Sequence, residues 1–178
     1  MPGRDSLLAL DPGLNNPAAA LFRGGRLVAA SRVKPQAAWK GRDIAERCTM
    51  VAHAVHDWAN EHGIEDLGVL VVEWPQIYVK GRSKGDPNDL LPLVGVAMCL
   101  AGMLDVNVRS FKPAEWIGQC AKTETGDALT SPRGRLVWRS LDELERATVN
   151  VSHDAIDAVG IGLAALGRLQ MRVYPGAT

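Results

Sequence analysis

The sequence has few of the features that mark secreted or membrane-embedded proteins. Only three of its 178 residues are cysteines, and Cys48, Cys99 and Cys120 lie far apart without a Cys-x-x-Cys pair. This odd, scattered set argues against a disulfide framework, and with no apolar signal segment at the start we expect a reducing, cytoplasmic environment. No apolar run reaches the ~20 residues that a membrane span needs.

An excess of charge of one sign is also absent. Twenty Lys and Arg residues balance twenty Asp and Glu residues, and the pI is near 6.9. Any nucleic-acid surface must therefore be a local patch, because the totals give no sign of a polyanion partner. No GxxxxGK[ST] phosphate loop occurs, and the Gly160-x-Gly162 pair falls inside a predicted helix, where close packing is the expected role.

What the sequence does contain is enough apolar material for a core. Apolar residues make up 47% of the chain, and a length of 178 residues is typical of one domain. We therefore expect a single domain over residues 1–178 that needs no disulfide or structural metal.

Hydrophobic patterning predicts an α/β fold. Short apolar runs separated by Gly, Pro and Asn predict strands, and spacings of three and four residues predict helices. The run LGVLVV is typical of a strand that is buried on both faces. The predicted strands cover residues 7–10, 18–22, 26–33, 67–72 and 106–111, and the predicted helices cover residues 43–63, 90–104, 113–120, 131–141 and 153–170. This order indicates an antiparallel meander followed by further strands, with helices covering the sheet.

Four carboxylates occupy the ends of these elements. Asp11 ends the first strand before Pro-Gly, Glu73 ends the most buried strand, and Asp154 and Asp157 share one face of the last helix. Taken alone, each has an ordinary interpretation as a turn residue, a strand end or a favourable first-turn acid. If they converge, two charges ~4 Å apart repel by about 4 kcal/mol at a dielectric of 20. Protons or cations must then accompany them, and two hard divalent cations would balance the four charges.

The three acidic segments together resemble a known family. The stretches LLALDPGLNNPAAALF, VLVVEWPQIY and SHDAIDAVGIGLAALGRL are similar, in this order, to the acidic motifs of RuvC-type Holliday junction resolvases of the ribonuclease H-like superfamily. The resemblance covers residues 7–169, and it is specific because all three motifs occur together at suitable spacing. The longer segment at residues 123–151 resembles phage-type members more than bacterial housekeeping enzymes, which would place the protein in a host cytoplasm.

The resemblance implies a mixed five-stranded ribonuclease H-like sheet and a homodimer that resolves four-way DNA junctions in recombination and repair. Two Mg²⁺ or Mn²⁺ ions per active site would support paired, symmetric nicking that leaves 5′-phosphate and 3′-OH ends. The catalytic metal ligands that it implies in this chain are Asp11, Glu73, Asp154 and Asp157.

Basic residues near these motifs are the candidate DNA contacts. The loop WPQIYVKGRSKGDPND follows Glu73 directly and interleaves cations with glycine, a pattern suited to phosphate contacts and to stacking of a base on an aromatic ring. The family's basic residues after the last strand have no match in register here, so flanking lysines are the substitutes. The full set of DNA-binding candidates is Tyr78, Lys80, Arg82, Lys84, Lys122, Lys112, Arg133 and Arg135.

The predicted helix at residues 90–104 carries two apolar stripes, one more than a single sheet can cover. Because two symmetric cuts require two opposed sites, we expect the second stripe to form a twofold dimer interface. Two other functions fit the same residues: a ribonuclease H-like nuclease acting on RNA, on RNA–DNA hybrid or on another branched DNA, and a non-catalytic nucleic-acid-binding module.

Overall fold

The computed structural model describes residues 5–34, 41–64, 66–75, 90–116 and 127–169. These described ranges contain five strands and six helices. The strands are β1 (Ser6–Asp11), β2 (Ala18–Arg23), β3 (Arg26–Arg32), β4 (Leu67–Glu73) and β5 (Asn107–Phe111), and the helices are α1 (Ile44–Glu61), α2 (Leu91–Leu104), α3 (Pro113–Trp116), α4 (Pro132–Arg139), α5 (Glu143–Arg146) and α6 (His153–Ala165). In the same ranges, no helix combines the length and apolar character required to span a membrane.

The five strands form one mixed sheet in the order β3-β2-β1-β4-β5. The first three strands are antiparallel neighbours, and β4 and β5 run parallel to β1. Gly24 and Gly25 have φ angles of 56° and 75°, so they form the tight turn between β2 and β3 that side chains would strain. The parallel strands are instead joined through helices. The predicted mixed five-stranded sheet is confirmed.

The two faces of the sheet bury separate clusters because side chains alternate along each strand. Leu10 and Val72 point to the face that α1 and α2 cover. Ala9 and Val71, one residue earlier on each strand, point to the opposite face, where α6 packs. Asp11 and Glu73 follow Leu10 and Val72, so their side chains are directed towards the α6 face.

Glycines on α6 allow the helix to approach this face closely. A Cβ atom at Gly160 would overlap the ring of Trp116, and one at Gly162 would overlap the ring of Phe22. The predicted close-packing role of this glycine pair is therefore confirmed. The same contact places the N-terminal half of α6, which carries Asp154 and Asp157, next to the sheet.

Three details of the helices differ from the prediction. The short helix α5 was not predicted; Asp142 and Glu145 start it with a capping box. The apolar spacing from Ile44 through Cys48 to Trp58 predicts a single inward face, but Ile44 begins α1 one turn before the first buried residue, Cys48, and is 54% exposed. Helix α6 was expected to continue to about residue 170 and instead ends at Ala165. The reason is a Schellman motif at Gly167, whose φ is 66°, in which Arg168 N–H donates to Leu163 O.

The buried carboxylate of Glu145 links Arg168, near the end of the last described range, to strand β3. Glu145 on α5 is 1% exposed and accepts hydrogen bonds from the backbone N–H groups of Leu27 (2.8 Å) and Asp142 (3.0 Å). Both terminal nitrogens of Arg168 also donate to it, each at 2.7 Å. Burial alone would raise the pKa of Glu145, but the bonds from Arg168, Leu27 and Asp142 outweigh it and lower the pKa to about 2.

This shift predicts an acid-sensitive contribution to stability. The folded pKa lies below the ordinary value of 4.5, so the contribution is complete above about pH 4.5 and is lost as the pH falls towards 2. A pKa shift of this size corresponds to at most about 3 kcal/mol of folding free energy. Solvent screening lowers this contribution further, because 30% of the Arg168 side chain is exposed. We expect urea unfolding to show a steeper loss of stability between pH 5 and pH 2.5 for the wild type than for Glu145→Gln. Parallel pH profiles would contradict this role of Glu145.

Candidate active site

Asp11 and Glu73 lie side by side at one edge of the sheet. The pair Leu10–Val72 is in register on the parallel strands β1 and β4, and the two acids are the next residues on each strand. Parallel neighbours run about 4.8 Å apart, so the two carboxylates extend from adjacent points towards the α6 face. Both side chains are partly buried. The strand register alone therefore brings together the first two sequence-predicted residues.

Glu73 has a defined partner in Trp116. The indole Nε1–H of Trp116 donates to Glu73 Oε2 at 2.7 Å, and the Trp116 side chain is 1% exposed. Trp116 ends α3, the short helix that follows β5, and β5 is the strand paired with β4. The hydrogen bond thus holds Glu73 with its carboxylate turned to the α6 side of the sheet.

Asp154 is positioned by the start of α6. Asn150 N–H donates to Ala30 O at 2.8 Å, which ties the preceding segment to β3. Ser152 then caps the helix by accepting from Ala155 N–H at 3.1 Å. As a result Asp154, in the first turn, lies 3.4 Å from the Nε of Arg32 at the end of β3. This ion pair is partly exposed.

Asp157, one turn further along α6, is buried and paired. Its Oδ2 accepts from Arg133 NH1 at 2.5 Å, and the two side chains are only 8% and 10% exposed. Ser131 caps α4 by accepting from Gly134 N–H at 2.9 Å, which sets Arg133 in the first turn of that helix. The guanidinium also lies over the ring of Trp116, 5.4 Å from its centroid. Arg133 and Trp116 therefore connect Asp157 to Glu73.

An open cavity of about 490 Å³ lies beside the start of α6. Its polar lining combines the two α6 carboxylates with arginines from β3 and α4, whereas Asp11 and Glu73 do not line it. The lining residues are Arg32, Asp127, Ala128, Ser131, Arg133, Val151, Ser152, His153, Asp154, Ile156 and Asp157.

The four carboxylates do not form a ready-made metal centre. Among the residues that the structure describes, no group of three or more His, Cys, Asp and Glu side chains is close enough to hold one ion. All four predicted ligands belong to the described ranges: Asp11 and Glu73 end adjacent parallel strands, and Asp154 and Asp157 lie on α6. Oxygen donors are the right chemistry for Mg²⁺ or Mn²⁺. In the present arrangement Arg32 and Arg133 pair with the two carboxylates on α6, so an ion bound there would compete with these arginines.

The predicted DNA contacts are only partly described. Lys112 and Arg135 are exposed, and Arg135 NH1 donates to Thr130 O at 2.8 Å. Arg133, which was also predicted as a phosphate contact, is buried and bonded to Asp157. The remaining candidates lie outside the described residues: Tyr78, Lys80, Arg82, Lys84 and Lys122.

Sequence reasoning missed Trp116 and Arg32. Trp116 lies one helical turn after β5, the strand paired with β4. This position, at the same edge of the sheet as Glu73, is the sequence feature that could have identified it. Arg32 is the last residue of β3 and carries no motif of its own. Its partner Asp154 is 122 positions away in the chain, a separation at which sequence patterns do not identify contacts.

Solved structures show what this architecture is similar to, although no family model and no curated protein sequence matches the chain. RuvC of Thermus thermophilus aligns with a TM-score of 0.58 and 17% identity over 90% of this chain and 93% of that one. T. thermophilus RuvC in complex with Holliday junction substrate gives 0.59 and 16% over 90% and 92%. The yeast mitochondrial Holliday junction resolvase Ydc2 gives 0.57 and 12% over 94% and 80%. The chain therefore has the ribonuclease H-like fold of the RuvC-type resolvases.

Proposed function

We propose that this protein is a metal-dependent endonuclease that resolves four-way DNA junctions by paired symmetric nicking, acting as a single nuclease domain. One observation carries the proposal: the acidic residues end two neighbouring strands and begin the helix that packs across the same face of a RuvC-like sheet. A solved relative of this fold is a complex with Holliday junction substrate, which favours junction DNA over other substrates. The resemblance to phage-type members remains a prediction.

The proposed catalytic residues are Asp11, Glu73, Asp154 and Asp157, with two Mg²⁺ or Mn²⁺ ions as cofactors. Carboxylate oxygens are the ligands that these ions prefer. Asp11 and Glu73 need no rearrangement of the backbone to act together, because adjacent parallel strands already place them side by side. Asp154 and Asp157 are bonded to Arg32 and Arg133, so their availability depends on those two ion pairs.

Junction DNA would contact exposed cations around this edge. Lys112 and Arg135 are exposed. The other proposed contacts belong to sequence segments outside the described residues: Tyr78, Lys80, Arg82, Lys84 and Lys122. Phosphate contacts by such residues position DNA without reading its sequence, which suits an enzyme selective for shape.

We also propose a twofold dimer through α2. Leu91 and Met98 on this helix are 65% and 55% exposed, while Val96 and Leu100 on its other side are fully buried against the sheet. Large apolar side chains exposed along one helix are typical of an interface. A twofold axis there would set two copies of the acidic site on opposing strands of one junction.

The test is a cleavage assay on three substrates of matched length: a synthetic four-way junction, a linear duplex and an RNA–DNA hybrid. With Mg²⁺ or Mn²⁺ we expect symmetric paired nicks in the junction, ligatable 5′-phosphate ends and no cutting in the presence of a chelator. Preferential cutting of the hybrid would instead support the ribonuclease H-like alternative. Junction binding without any cutting would support the non-catalytic module.

A further inference from the structure

We propose that Arg133 is a built-in counter-cation of the site: it neutralises Asp157 and must be displaced before a divalent cation binds there. This inference rests on the proposed metal-dependent function and deepens it. Its basis is a contrast in the site. The four carboxylates have the chemistry to bind cations, yet Asp154 and Asp157 are paired with arginines, and no described group of three ligands is close enough to hold an ion.

The buried carboxylate of Asp157 needs a counter-charge. A carboxylate that is 8% exposed is strongly destabilised unless a cation accompanies it. Arg133 brings a cation to Asp157, with NH1 donating to Oδ2 at 2.5 Å. An ion ligated by the same carboxylate would take over that role, so Arg133 and the ion compete for the same charge.

The guanidinium of Arg133 is not fully hydrogen-bonded. Its Nε is buried and has no hydrogen-bond partner among the residues that the structure describes. Buried arginines that serve only the fold usually have their donors satisfied, because an unpaired buried donor is destabilising. Arg133 is therefore held by its bond to Asp157 and by stacking on Trp116. Its Nε–H still lacks a hydrogen-bond acceptor among the described residues.

The cavity beside Arg133 gives its side chain room to move away from Asp157. Arg133 lines the open cavity of about 490 Å³, and Asp127 lines the same cavity. A guanidinium released from Asp157 can thus move into a polar, solvent-connected space rather than into the apolar core.

Arg133 is also connected to Glu73 through Trp116. Arg133 stacks on the same indole whose N–H donates to Glu73. Movement of Arg133 removes one face of the packing that holds Trp116, so the states of Asp157 and Glu73 are coupled through two side chains. Arg133 is by this argument a positioning residue rather than a catalytic one.

The test measures Mn²⁺ binding by calorimetry and the melting temperature in chelator and in Mn²⁺. For Arg133→Gln we expect a lower melting temperature in chelator, a larger rise on adding Mn²⁺ and about ten-fold tighter Mn²⁺ binding, because the competitor is gone. The double variant Arg133→Gln with Asp157→Asn should regain stability in chelator and lose the gain in affinity. Arg135→Gln, an exposed arginine on the same helix, is the matched control and should leave both values unchanged.

Equal or weaker Mn²⁺ binding by Arg133→Gln overturns the proposal, and so does a double variant that binds as tightly as the single one. A measurement on the wild type covers the case in which the variant does not fold. The Nε–H signal of Arg133 in a nitrogen-15 NMR spectrum should shift during a Mg²⁺ titration, with the same midpoint as binding, while that of Arg135 stays in place. A stationary Arg133 signal at saturating Mg²⁺ also overturns it.

The two proposals fail in different ways. If the wild type cuts junctions but Arg133 does not respond to metal, the counter-cation role is wrong and the nuclease function stands. If Mg²⁺ displaces Arg133 but no junction is cut, the counter-cation role stands and the substrate or the activity has been misassigned.

Discussion

Asp11→Asn and Glu73→Gln should each lower the rate of junction cleavage by about 10²–10³-fold. Both substitutions keep the size of the side chain and remove its charge at the point where β1 and β4 end side by side. Glu73→Gln also keeps a side-chain oxygen that can accept from Trp116 Nε1, so the fold around it should persist. Single-turnover rates on a synthetic four-way junction, together with melting temperatures, measure the two effects separately.

The control for these substitutions is Asp57→Asn, because Asp57 lies on α1, across the sheet from the site, with 70% of its side chain exposed. We expect this variant to cut at the wild-type rate. If Asp11→Asn or Glu73→Gln also kept the wild-type rate while folding normally, the sheet edge would not be the active site.

Trp116→Ala should lower the free energy of unfolding by about 3–5 kcal/mol. The indole is fully buried against Gly160 of α6, so its removal leaves a cavity between α3, α6 and the sheet. Cleavage should fall as well, because Glu73 loses its donor and Arg133 loses its stacking surface. Urea unfolding and the single-turnover assay measure these two consequences.

Trp116→Phe separates packing from hydrogen bonding. A phenyl ring still fills most of the space near Gly160, but it lacks the N–H group, so we expect a loss of only about 1 kcal/mol in stability together with slower cleavage. Trp138→Phe, a partly buried tryptophan that packs on the same core cluster, serves as the comparison. It should lose a similar amount of stability without slower cleavage. Equal cleavage by the two phenylalanine variants would remove Trp116 from the site.

Local signals were sufficient for most elements of the fold. Asp43, Ser131 and Ser152 cap helices where the sequence predicted starts, and the capping side chains accept from the backbone three residues ahead. The apolar run ending at Glu73 is a strand, as predicted. The end of α6 was misplaced although its signal was present, since Gly167 is the kind of residue that terminates a helix in the left-handed region.

The sequence by itself determined the five strands, the helices other than α5, and the positions of Asp11, Glu73, Asp154 and Asp157 at element ends. These properties depend on residues within one or two turns of each other, so periodicity and capping encode them. Only the tertiary structure decided that Arg133 pairs with Asp157 and Trp116 with Glu73, across 24 and 43 positions. Such partners are chosen by how helices pack on the sheet and by the need to neutralise a buried charge, and neither leaves a local pattern in the chain.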